Sequence, residues 1–494
     1  MVGRDTLPEG AIEASLLIRG ERVAGARGSY PIINPATEEV VGQAPEASAE
    51  QITAATEAAA HAFAAWSRTP PRERAELLDR LADAFARRAD ELVPLVQAET
   101  GATLRVTKSM QVPNVVERLR RYAKAALDSD TIPLAPAEIP NTALAKGGLI
   151  GAIAVRQPVG VVACITPYNF PLVNTAGKIG PALAMGNTVV IKPAPQDPLG
   201  VLALADMVEE AGFPPGVVNI VSGSGAEAGA ALVASPYVDM ISFTGSTAVG
   251  QAIGEVAGRD MKRLLLELGG KGAGIVFADA DLATAVGAIA SVWAFHSGQI
   301  CTAPTRVLAQ RPIYDQLVEQ LAKTAGFLQV GDPLDSRTVV GPLVSSAQRD
   351  RVETFIRLGS EEGGSVVAGG ERPALERGFY VAPTLIADCK AGMTVVQQEI
   401  FGPVVVVVPF DEEDEAVTLA NSTDYGLNDY VFSSDTLKAL RVARQLRSGS
   451  VAINTAQQHS EAPFGGFKLS GVGRDRGDFG LHAYSELQSI VWPG

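Results

Sequence analysis

The sequence predicts an α/β fold in which two parallel sheets with crossover helices are accompanied by a small β segment. From about residue 155 to 265, short apolar runs alternate with helical segments, which is typical of parallel strands joined by crossover helices. A second alternation occupies residues 266–470 and includes the apolar run 404–408, as expected of a strand buried on both faces. A chain of 494 residues also exceeds what one hydrophobic core normally supports.

The first third of the chain is expected to be mainly helical. Ser48 and Gln51 form a capping-box pattern, and the segment that follows carries apolar residues on one face. Pro70 and Pro71 interrupt this helix, and a second predicted helix then repeats a leucine or phenylalanine every four residues. Both helices are therefore expected to pack on a core.

The strands of the first sheet are predicted at residues 160–165, 188–191, 217–221 and 240–243. Residues 128–153 are rich in Pro, Ala and Gly and lack helical periodicity, so we expect an excursion from the first domain there. The end of the chain, residues 484–492, alternates like a strand. Solitary strands leave open edges, so these two segments are expected to pair with each other or with another subunit.

Composition and charge argue against several classes of protein. Hydrophobic residues at 47% and charged residues at 19% are ordinary for a soluble globular protein, and no stretch has the apolar length of a bilayer span. A net charge of -14 argues against a nucleic-acid partner. The first residues show no basic segment followed by an apolar run, so a cytoplasmic location is expected. The scattered cysteines and histidines favour neither disulfides nor a metal site.

One cysteine has unusual neighbours. Cys301 follows Gly298 in the segment Gly-Gln-Ile-Cys-Thr, and a nearby glycine permits the close backbone approach and exposure that a nucleophile requires. Cys164 stands inside an apolar run and is interpreted as a small buried hydrophobe, and the same role is expected for Cys389.

A carboxylate and an amide are candidates for acid–base and oxyanion chemistry. Glu267 stands in an apolar run that ends in two glycines, where desolvation raises a carboxyl pKa and suits a general base. A salt-bridged structural role is the alternative for Glu267. Asn169 follows a predicted strand, at the end where α/β sites form, although Asn is also common in turns.

A phosphate-binding turn is predicted at residues 243–247, where a strand runs into Thr-Gly-Ser-Thr and a helix. Such a helix start can receive a pyrophosphate on its free amides. The chain nevertheless contains no G-x-G-x-x-G, and the nearest candidate, Gly223-Ser224-Gly225, lacks the third glycine. The usual dinucleotide fingerprint is missing.

Seven short motifs follow one another along nearly the whole chain. They are Pro-Tyr-Asn-Phe-Pro at 167–171, Ile-Lys-Pro at 191–193, Phe-Thr-Gly-Ser-Thr at 243–247, Glu-Leu-Gly-Gly at 267–270, Gly-Gln-Ile-Cys at 298–301, Glu-Ile-Phe-Gly-Pro at 399–403 and Pro-Phe-Gly-Gly at 463–466. In this order and spacing the set resembles the aldehyde dehydrogenase superfamily. That family binds its dinucleotide on a variant Rossmann fold without the usual glycine pattern, which explains the missing fingerprint.

The resemblance implies an architecture of three parts. A variant Rossmann cofactor domain would comprise residues 1–134 and 156–265, and an α/β catalytic domain residues 266–470. A small β oligomerisation sheet would use residues 135–155 and 471–494. The resemblance also implies NAD or NADP as cofactor, an aldehyde substrate, and assembly as a homodimer or homotetramer.

The resemblance assigns roles to individual residues as well. Cys301 would be the nucleophile, Asn169 and the Cys301 backbone amide the oxyanion hole, Glu267 the general base and Lys178 a supporting charge. The residues implied to contact the cofactor are Thr166, Lys192, Gly225, Gly245, Ser246, Glu399 and Phe401. The residues implied along the substrate tunnel are Phe170, Asn174, Gly177, Ser291, Phe295, His459 and Phe464, a lining that suits a medium-sized aromatic or aliphatic aldehyde.

The sequence departs from the family pattern at Pro195. Many members carry a Glu there that holds the adenosine ribose, and its loss removes a charge that repels the 2′-phosphate of NADP, which leaves the cofactor choice open. An acylating dehydrogenase that uses coenzyme A is the alternative enzyme, disfavoured because such relatives generally dispense with a base like Glu267. A catalytically silent homologue and an α/β protein with merely buried cysteines remain as non-enzymatic alternatives. A short-chain reductase is excluded because no Tyr-x-x-x-Lys pair is present.

Overall fold

A computed structural model describes residues 12–128 and 130–493, and its strands form two large sheets and two small ones. The strands up to residue 267 are β1 (Ile12–Glu13), β2 (Leu16–Ile18), β3 (Glu21–Val23), β4 (Ser29–Ile33), β5 (Val40–Pro45), β6 (Thr131–Ile139), β7 (Gly148–Pro158), β8 (Val161–Ile165), β9 (Thr188–Lys192), β10 (Val218–Ile220), β11 (Met240–Thr244) and β12 (Arg263–Glu267). The remaining strands are β13 (Ala273–Val276), β14 (Arg306–Gln310), β15 (Ser365–Ala368), β16 (Thr384–Ala387), β17 (Val404–Phe410), β18 (Asn428–Phe432), β19 (Ser450–Ile453), β20 (Gly471–Val472) and β21 (Ser485–Pro493).

Helices connect and cover these strands. Those before residue 260 are α1 (Ala49–Trp66), α2 (Pro71–Arg87), α3 (Ala89–Thr100), α4 (Leu104–Val106), α5 (Val112–Ala125), α6 (Pro171–Ala184), α7 (Leu199–Leu202), α8 (Leu204–Ala211), α9 (Ala226–Ala234) and α10 (Thr247–Arg259). Those after it are α11 (Leu282–Ala294), α12 (Tyr314–Phe327), α13 (Ser346–Glu361), α14 (Thr394–Gln397), α15 (Glu413–Asn421), α16 (Thr436–Ala443) and α17 (Gly477–Ala483). The α/β prediction is confirmed. No helix in the described part of the chain is both long and apolar enough to cross a bilayer.

The first large sheet has eight strands in the order β20-β12-β11-β8-β9-β10-β2-β3. From β8 the chain proceeds to β9 and β10 on one side, while β11 and β12 lie on the other side. Ligands of open α/β sheets bind outside the carboxyl ends of the strands at such a switch point. Thr166 follows β8 and Gly245 follows β11, so both lie at this position.

The prediction that the first third is mainly helical is wrong for residues 12–45, which form β1 to β5. Each of these strands has two to six residues, too few to show a period-two pattern. Their pairing is also non-local, since Leu17 of β2 lies opposite Ile220 of β10. The helices that follow agree with prediction: the Ser48 side chain accepts a bond from the Gln51 backbone N–H at the start of α1, and α2 begins at Pro71.

The second large sheet has the order β15-β16-β17-β14-β13-β18-β19. Its interior strand β17 contains five consecutive valines with 4% exposure or less, as the predicted two-faced burial requires. The chain passes from the first sheet to the second directly after Glu267, the last residue of β12. Cys301 precedes β14 of the second sheet, so the junction of the two sheets carries both predicted catalytic groups.

The excursion and the C-terminal strand pair with each other in the small sheet β21-β7-β6, with Ser485 opposite Pro158. Its strands cover 131–158 and 485–493 rather than the expected 135–155 and 471–494. Residues 471–483 belong elsewhere because β20 pairs with β12 and α17 packs on α6. The expected domain boundary at 265/266 falls inside β12. Periodicity could not show these long-range pairings, which explains the shifts.

Candidate active site

The three cysteines differ in their access to solvent. Cys301 is partly exposed, whereas Cys164 and Cys389 are buried. Cys164 lies within β8, and Cys389 follows β16 in the core of the second sheet. Cys164 and Cys389 therefore fill the core, as expected. Cys301 is the one of the three that solvent reaches, and its role as the reactive thiol stays a prediction.

A tight turn between α11 and Cys301 sets the position of this cysteine. Residues 296–298 all have positive φ values, of 51°, 54° and 74°. The Ser297 hydroxyl donates to the Gly341 carbonyl over 2.8 Å, and the Gln299 side chain accepts a bond from the Val344 backbone N–H over 3.0 Å. These bonds to a neighbouring loop hold a backbone conformation that costs conformational energy at non-glycine residues.

Asn169 reaches the same turn from the end of β8. Its Nδ2 donates to the carbonyl of Gln299 over 2.8 Å, and its Oδ1 accepts from the backbone N–H of Phe170 over 3.1 Å. The side chain is 5% exposed. The amide thus lies beside the backbone two residues before Cys301, where an oxyanion donor is needed.

Glu267 is buried at 4% exposure, and neither of its carboxylate oxygens has a hydrogen-bond partner within the described residues. Its Oε1 lies against the backbone of Gly465, where an added Cβ would be 2.8 Å away. Burial raises the pKa of Glu267 well above its usual range, the Asp475 carboxylate adds to this rise, and Lys178 opposes it. The salt-bridged structural role is not supported, because a structural carboxylate would be paired.

The Cys301 thiol is flanked by carboxylates. Burial and the negative charges of Glu399 and Glu267 raise the pKa of Cys301 to about 12, and the Arg476 guanidinium lowers it. A thiol in these surroundings is protonated near neutrality. It therefore needs a base within reach before it can act as a nucleophile.

Lys178 connects the site to a buried polar chain. Its Nζ donates to the Ser242 hydroxyl over 3.1 Å, and Ser242 shares a 2.8 Å hydrogen bond with the Tyr484 hydroxyl. Burial lowers the pKa of Lys178, and Asp475 is the first of the charges that oppose this shift. Sequence analysis missed Ser242, Tyr484 and Asp475, although a serine within the apolar strand β11 was a local signal for the first.

The predicted dinucleotide site consists of the N-termini of α9 and α10 and the adjacent carboxyl ends of β8 and β9. The Thr166 backbone N–H donates to the Lys192 carbonyl over 3.1 Å, which joins the ends of β8 and β9. Gly225 caps α9 without a side-chain bond, and Ser246 caps α10. Gly245 immediately precedes that cap. Burial lowers the pKa of Lys192 to about 8.

The residues around this cleft fit a dinucleotide. The buried Thr166 hydroxyl has no partner among the described residues, and the free amides at the start of α10 can receive a phosphate. Glu399 Oε1 accepts a 2.9 Å bond from the Gly270 backbone N–H, and burial raises the pKa of Glu399 to about 7. Phe401 packs edge-to-face on Tyr168, with ring centroids 5.8 Å apart.

Several predicted tunnel residues lie together on the wall formed by α6. Phe170 stacks on Phe295 with ring centroids 5.6 Å apart, and the Asn174 amide donates to the Phe170 carbonyl over 2.9 Å. Gly177 lies one turn further along α6. The backbone of Phe464 exchanges two hydrogen bonds of 2.8 and 2.6 Å with the backbone of Asp475. Asp475 in turn lies beside Gly177, which brings Phe464 near α6.

For two predicted tunnel residues, His459 and Ser291, the hydrogen bonds found among the described residues stay within their own loop or helix. His459 is exposed, and its Nδ1 accepts a 3.2 Å bond from the Glu461 backbone N–H within its own loop. The Ser291 hydroxyl donates back to the Ala288 carbonyl inside α11. Their assignment to the tunnel stays a prediction.

Comparison with known proteins agrees with this architecture. A sequence model of the aldehyde dehydrogenase family matches residues 23–490. The chain is 39% identical over 475 residues to the mitochondrial aldehyde dehydrogenase of Homo sapiens, covering 95% of this chain and 89% of that protein. It is 38% identical over 483 residues to the betaine aldehyde dehydrogenase of Bacillus subtilis, covering 96% of each.

Solved structures agree as well. The betaine aldehyde dehydrogenase of Staphylococcus aureus in complex with NAD+ superposes with a TM-score of 0.93 at 35% identity, covering 97% of this chain and 95% of that one. An aldehyde dehydrogenase of Bacillus cereus in complex with NAD+ superposes with a TM-score of 0.91 at 40% identity, covering 98% and 97%.

The Rossmann-like sheet, together with the second α/β sheet that meets it near Glu267 and Cys301, defines a nicotinamide-dependent dehydrogenase. The chain belongs to the aldehyde dehydrogenase family. The family and the enzyme class predicted from the sequence motifs are thereby confirmed.

Proposed function

We propose that this enzyme oxidises an aldehyde to a carboxylic acid through a thioester on Cys301, with NAD as the electron acceptor. The observation that carries the proposal is the position of Glu267. Its carboxylate is buried and unpaired, and its charge acts directly on the Cys301 thiol. A base with a raised pKa beside a nucleophile suits both activation of the thiol and activation of water.

The residues divide the reaction into two steps. Glu267, directly or through a water, takes the thiol proton, and the Cys301 sulfur attacks the aldehyde carbon. Asn169 Nδ2 and the Cys301 backbone N–H donate to the oxygen as its charge grows. The bound nicotinamide supplies an acceptor for the hydride that the aldehyde carbon loses, which leaves a thioester on Cys301. Glu267 releases the thiol proton to solvent and then removes a proton from water. The water oxygen bonds to the acyl carbon, the bond to sulfur breaks, and the thiolate takes the proton back from Glu267 as the acid is released.

The cofactor is assigned to the cleft at the switch point of the first sheet. Lys192 and the starts of α9 and α10 would hold the adenosine ribose and the phosphates, and Glu399 the nicotinamide ribose. The Glu46 carboxylate supports NAD over NADP. It accepts a 2.9 Å bond from the Ser224 backbone N–H, and its charge opposes the lowering of the pKa of Lys192. A negative charge here disfavours a 2′-phosphate although Pro195 provides none.

The domain assignment follows from the same geometry. The eight-stranded sheet would bind the cofactor, the seven-stranded sheet would carry the nucleophile, and the small sheet β21-β7-β6 would join subunits as a homodimer or homotetramer. Exposed apolar side chains on that sheet support the last assignment, among them Leu487 and Val491 at 59% and 60% exposure. Contiguous apolar surface of this kind marks interaction sites.

An assay without coenzyme A tests the proposed reaction. We expect steady formation of NADH from a panel of aldehydes, with NAD and NADP supplied separately. Glu267→Gln should slow deacylation by roughly 10²- to 10⁴-fold and give a burst of about one equivalent of NADH per active site. The acyl group should then be visible on Cys301 by intact mass.

Three outcomes would contradict the proposal. NADH that forms only when coenzyme A is added would support the acylating alternative. Absence of turnover on every aldehyde, with dinucleotide still bound, would support a silent homologue. A folded Glu267→Gln variant that binds cofactor and turns over at the native steady rate, with no adduct on Cys301, would remove Glu267 from deacylation. A missing burst with a slowed steady rate would instead mean that the variant has lost the base for the thiol. Cys301→Ala should lose turnover, whereas the matched control Cys164→Ala should change stability before rate.

A further inference from the structure

The guanidinium of Arg118 occupies the space where Gly177 has no side chain. Gly177 is one of the residues predicted to line the substrate tunnel. Arg118 belongs to α5, and its Nη1 donates to the Val173 carbonyl at the start of α6 over 3.2 Å. A Cβ added at Gly177 would collide with this same nitrogen. Gly177 and Asn174 are three residues apart on α6 and therefore share a face of that helix. The Arg118 charge thus lies at the tunnel wall described above.

A second guanidinium approaches from the C-terminal part of the chain. Arg476 stacks over the ring of Phe464, with its guanidinium carbon 4.2 Å from the ring centroid. Its Nη1 donates to the Gln458 side chain over 2.7 Å. Its Nε is buried and has no hydrogen-bond partner in the described part of the chain. The Arg476 charge favours the thiolate of Cys301, so the guanidinium is within electrostatic reach of the nucleophile.

Neither guanidinium is neutralised by a direct ion pair. Among the described residues, no carboxylate lies within the 4.0 Å of an ion pair from Arg118 or Arg476. Arg121, one turn along α5, differs because Glu461 and Asp478 each pair with it at 2.6 Å. The two unpaired guanidiniums repel each other, since the Arg118 charge lowers the pKa of Arg476.

The other charges at this place do not remove the positive excess. The Asp475 Oδ1 accepts from the Arg476 backbone N–H over 2.7 Å rather than from the guanidinium. Its Oδ2 lies beside Gly177, as Arg118 does, but forms no ion pair with either guanidinium among the described residues. Burial weakens the charges of both Lys178 and Glu267, because it lowers the pKa of the lysine and raises the pKa of the glutamate. The two guanidiniums are therefore the main charges here. Two guanidiniums without ion pairs are unexpected in a chain of net charge -14, because desolvated and unpaired charges are costly unless a ligand pairs with them.

We propose that Arg118 and Arg476 bind a carboxylate at the far end of the substrate, so that the enzyme prefers aldehydes that also carry an acid group. This rests on the proposed function, because it requires that Cys301 attack the aldehyde end. Guanidinium groups match a carboxylate with two parallel hydrogen bonds. Two of them would repel the trimethylammonium group of betaine aldehyde, although relatives with that name resemble this chain.

Kinetics on paired substrates test this preference. For the native enzyme we expect kcat/KM on 4-oxobutanoate to exceed that on butanal, a neutral aldehyde with the same number of carbons, by about tenfold or more, and betaine aldehyde to be the poorest of the three. Tenfold corresponds to about 1.4 kcal/mol, within the range of one charge-assisted hydrogen bond. The preference should appear mainly as a lower KM for the oxo acid.

Substitution of Arg118 separates binding of the carboxylate from support of the fold. Arg118→Met keeps much of the length and volume and removes the charge, and it should lower the ratio of oxo-acid to alkanal efficiency by about tenfold or more. Arg118→Lys should restore part of the ratio. Arg120→Met is the control, since Arg120 on the same helix is exposed and pairs with Asp83 at 2.9 Å. It should leave the ratio unchanged.

The outcomes distinguish this proposal from the proposed function. If no aldehyde is oxidised, the proposed function fails. If the native enzyme oxidises butanal as well as or better than 4-oxobutanoate, only the carboxylate site is overturned. It is also overturned if Arg118→Met lowers kcat on both substrates alike, because a purely structural role would affect both and leave the ratio unchanged.

Discussion

The reactivity of Cys301 depends on the charges that surround its sulfur. Glu399 and Glu267 raise its pKa, and Arg476 lowers it, with burial as the largest effect. These groups come from three separate parts of the chain. The raised pKa therefore favours the protonated thiol in the free enzyme.

Alkylation of Cys301 should show this raised pKa directly. Only the thiolate reacts with iodoacetamide, so a thiol with a pKa of about 12 should react faster with each pH unit, by up to about tenfold. We expect the rate in the absence of cofactor to rise through pH 9 without a plateau. Intact mass measures the rate. Cys301→Ala is the control and should incorporate almost no label, because Cys164 and Cys389 are buried. A plateau below pH 8 would show that the thiolate is already stabilised in the free enzyme.

Among the elements of the fold, the turn at residues 296–298 controls the position of the nucleophile. It follows α11, and hydrogen bonds of Ser297 and Gln299 to the loop at Gly341 and Val344 hold it. Gly298 has a φ of 74°, and its Cα packs on the carbonyl group of Gly402. The Glu-Ile-Phe-Gly-Pro motif at 399–403 therefore supports the nucleophile turn as well as presenting Glu399.

Gly298→Ala should impair both folding and catalysis. The added Cβ would collide with the Gly402 carbonyl, and a left-handed residue other than glycine costs about 1–2 kcal/mol. We expect the free energy of unfolding to fall by about 2 kcal/mol or more and kcat to fall with it.

Thermal unfolding and steady-state rates measure these effects. Gly287→Ala in α11 is the matched control, because its Cβ would meet open space. Alanine in a helix interior stabilises by about 0.5–1 kcal/mol relative to glycine. If Gly298→Ala and Gly287→Ala have the same free energy of unfolding and the same kcat, the turn at residues 296–298 can accommodate a Cβ and the prediction is wrong.

At the scale of the whole molecule, the small sheet β21-β7-β6 has open edges and exposed apolar side chains that a single chain does not cover. Both of its outer strands, β6 and β21, have an open edge within the described chain. Leu487 and Val491 lie on the same face of β21 and are 59% and 60% exposed. A second copy of the chain would cover them, since open edges and apolar faces favour association.

Charge on that face should weaken assembly. The double variant Leu487→Asp, Val491→Asp should raise the dissociation constant of the oligomer by about tenfold or more, because buried unpaired carboxylates are costly. Sedimentation velocity over a concentration series measures it. Phe327→Asp is the control, since Phe327 is an exposed apolar side chain at the end of α12, far from the small sheet in sequence. The assignment of the sheet to subunit contact fails if the native chain is monomeric or if the double variant assembles like the control.

Sequence alone determined the family, the α/β class, the main strands of the first sheet and the positions of Cys301, Glu267 and Asn169. Each of these depends on a local signal: an apolar run of five or six residues, a helix cap, or a short motif at a fixed place. Such signals can be read from the sequence alone because the conformation of a strand or a turn depends mostly on its own residues.

Only the tertiary structure decided which distant residues surround those groups. Arg118 and Arg476 are more than 350 residues apart in the chain, yet Arg118 lies beside Gly177, Arg476 lies over Phe464, and the charge of the first lowers the pKa of the second. Likewise β2 joins β10, and β20 returns to β12. No periodicity or motif encodes such contacts, because they arise when separate elements pack on a shared core. The charge around Cys301 is therefore a property of the folded chain, whereas the motif that marks Cys301 as the proposed nucleophile is already present in the sequence.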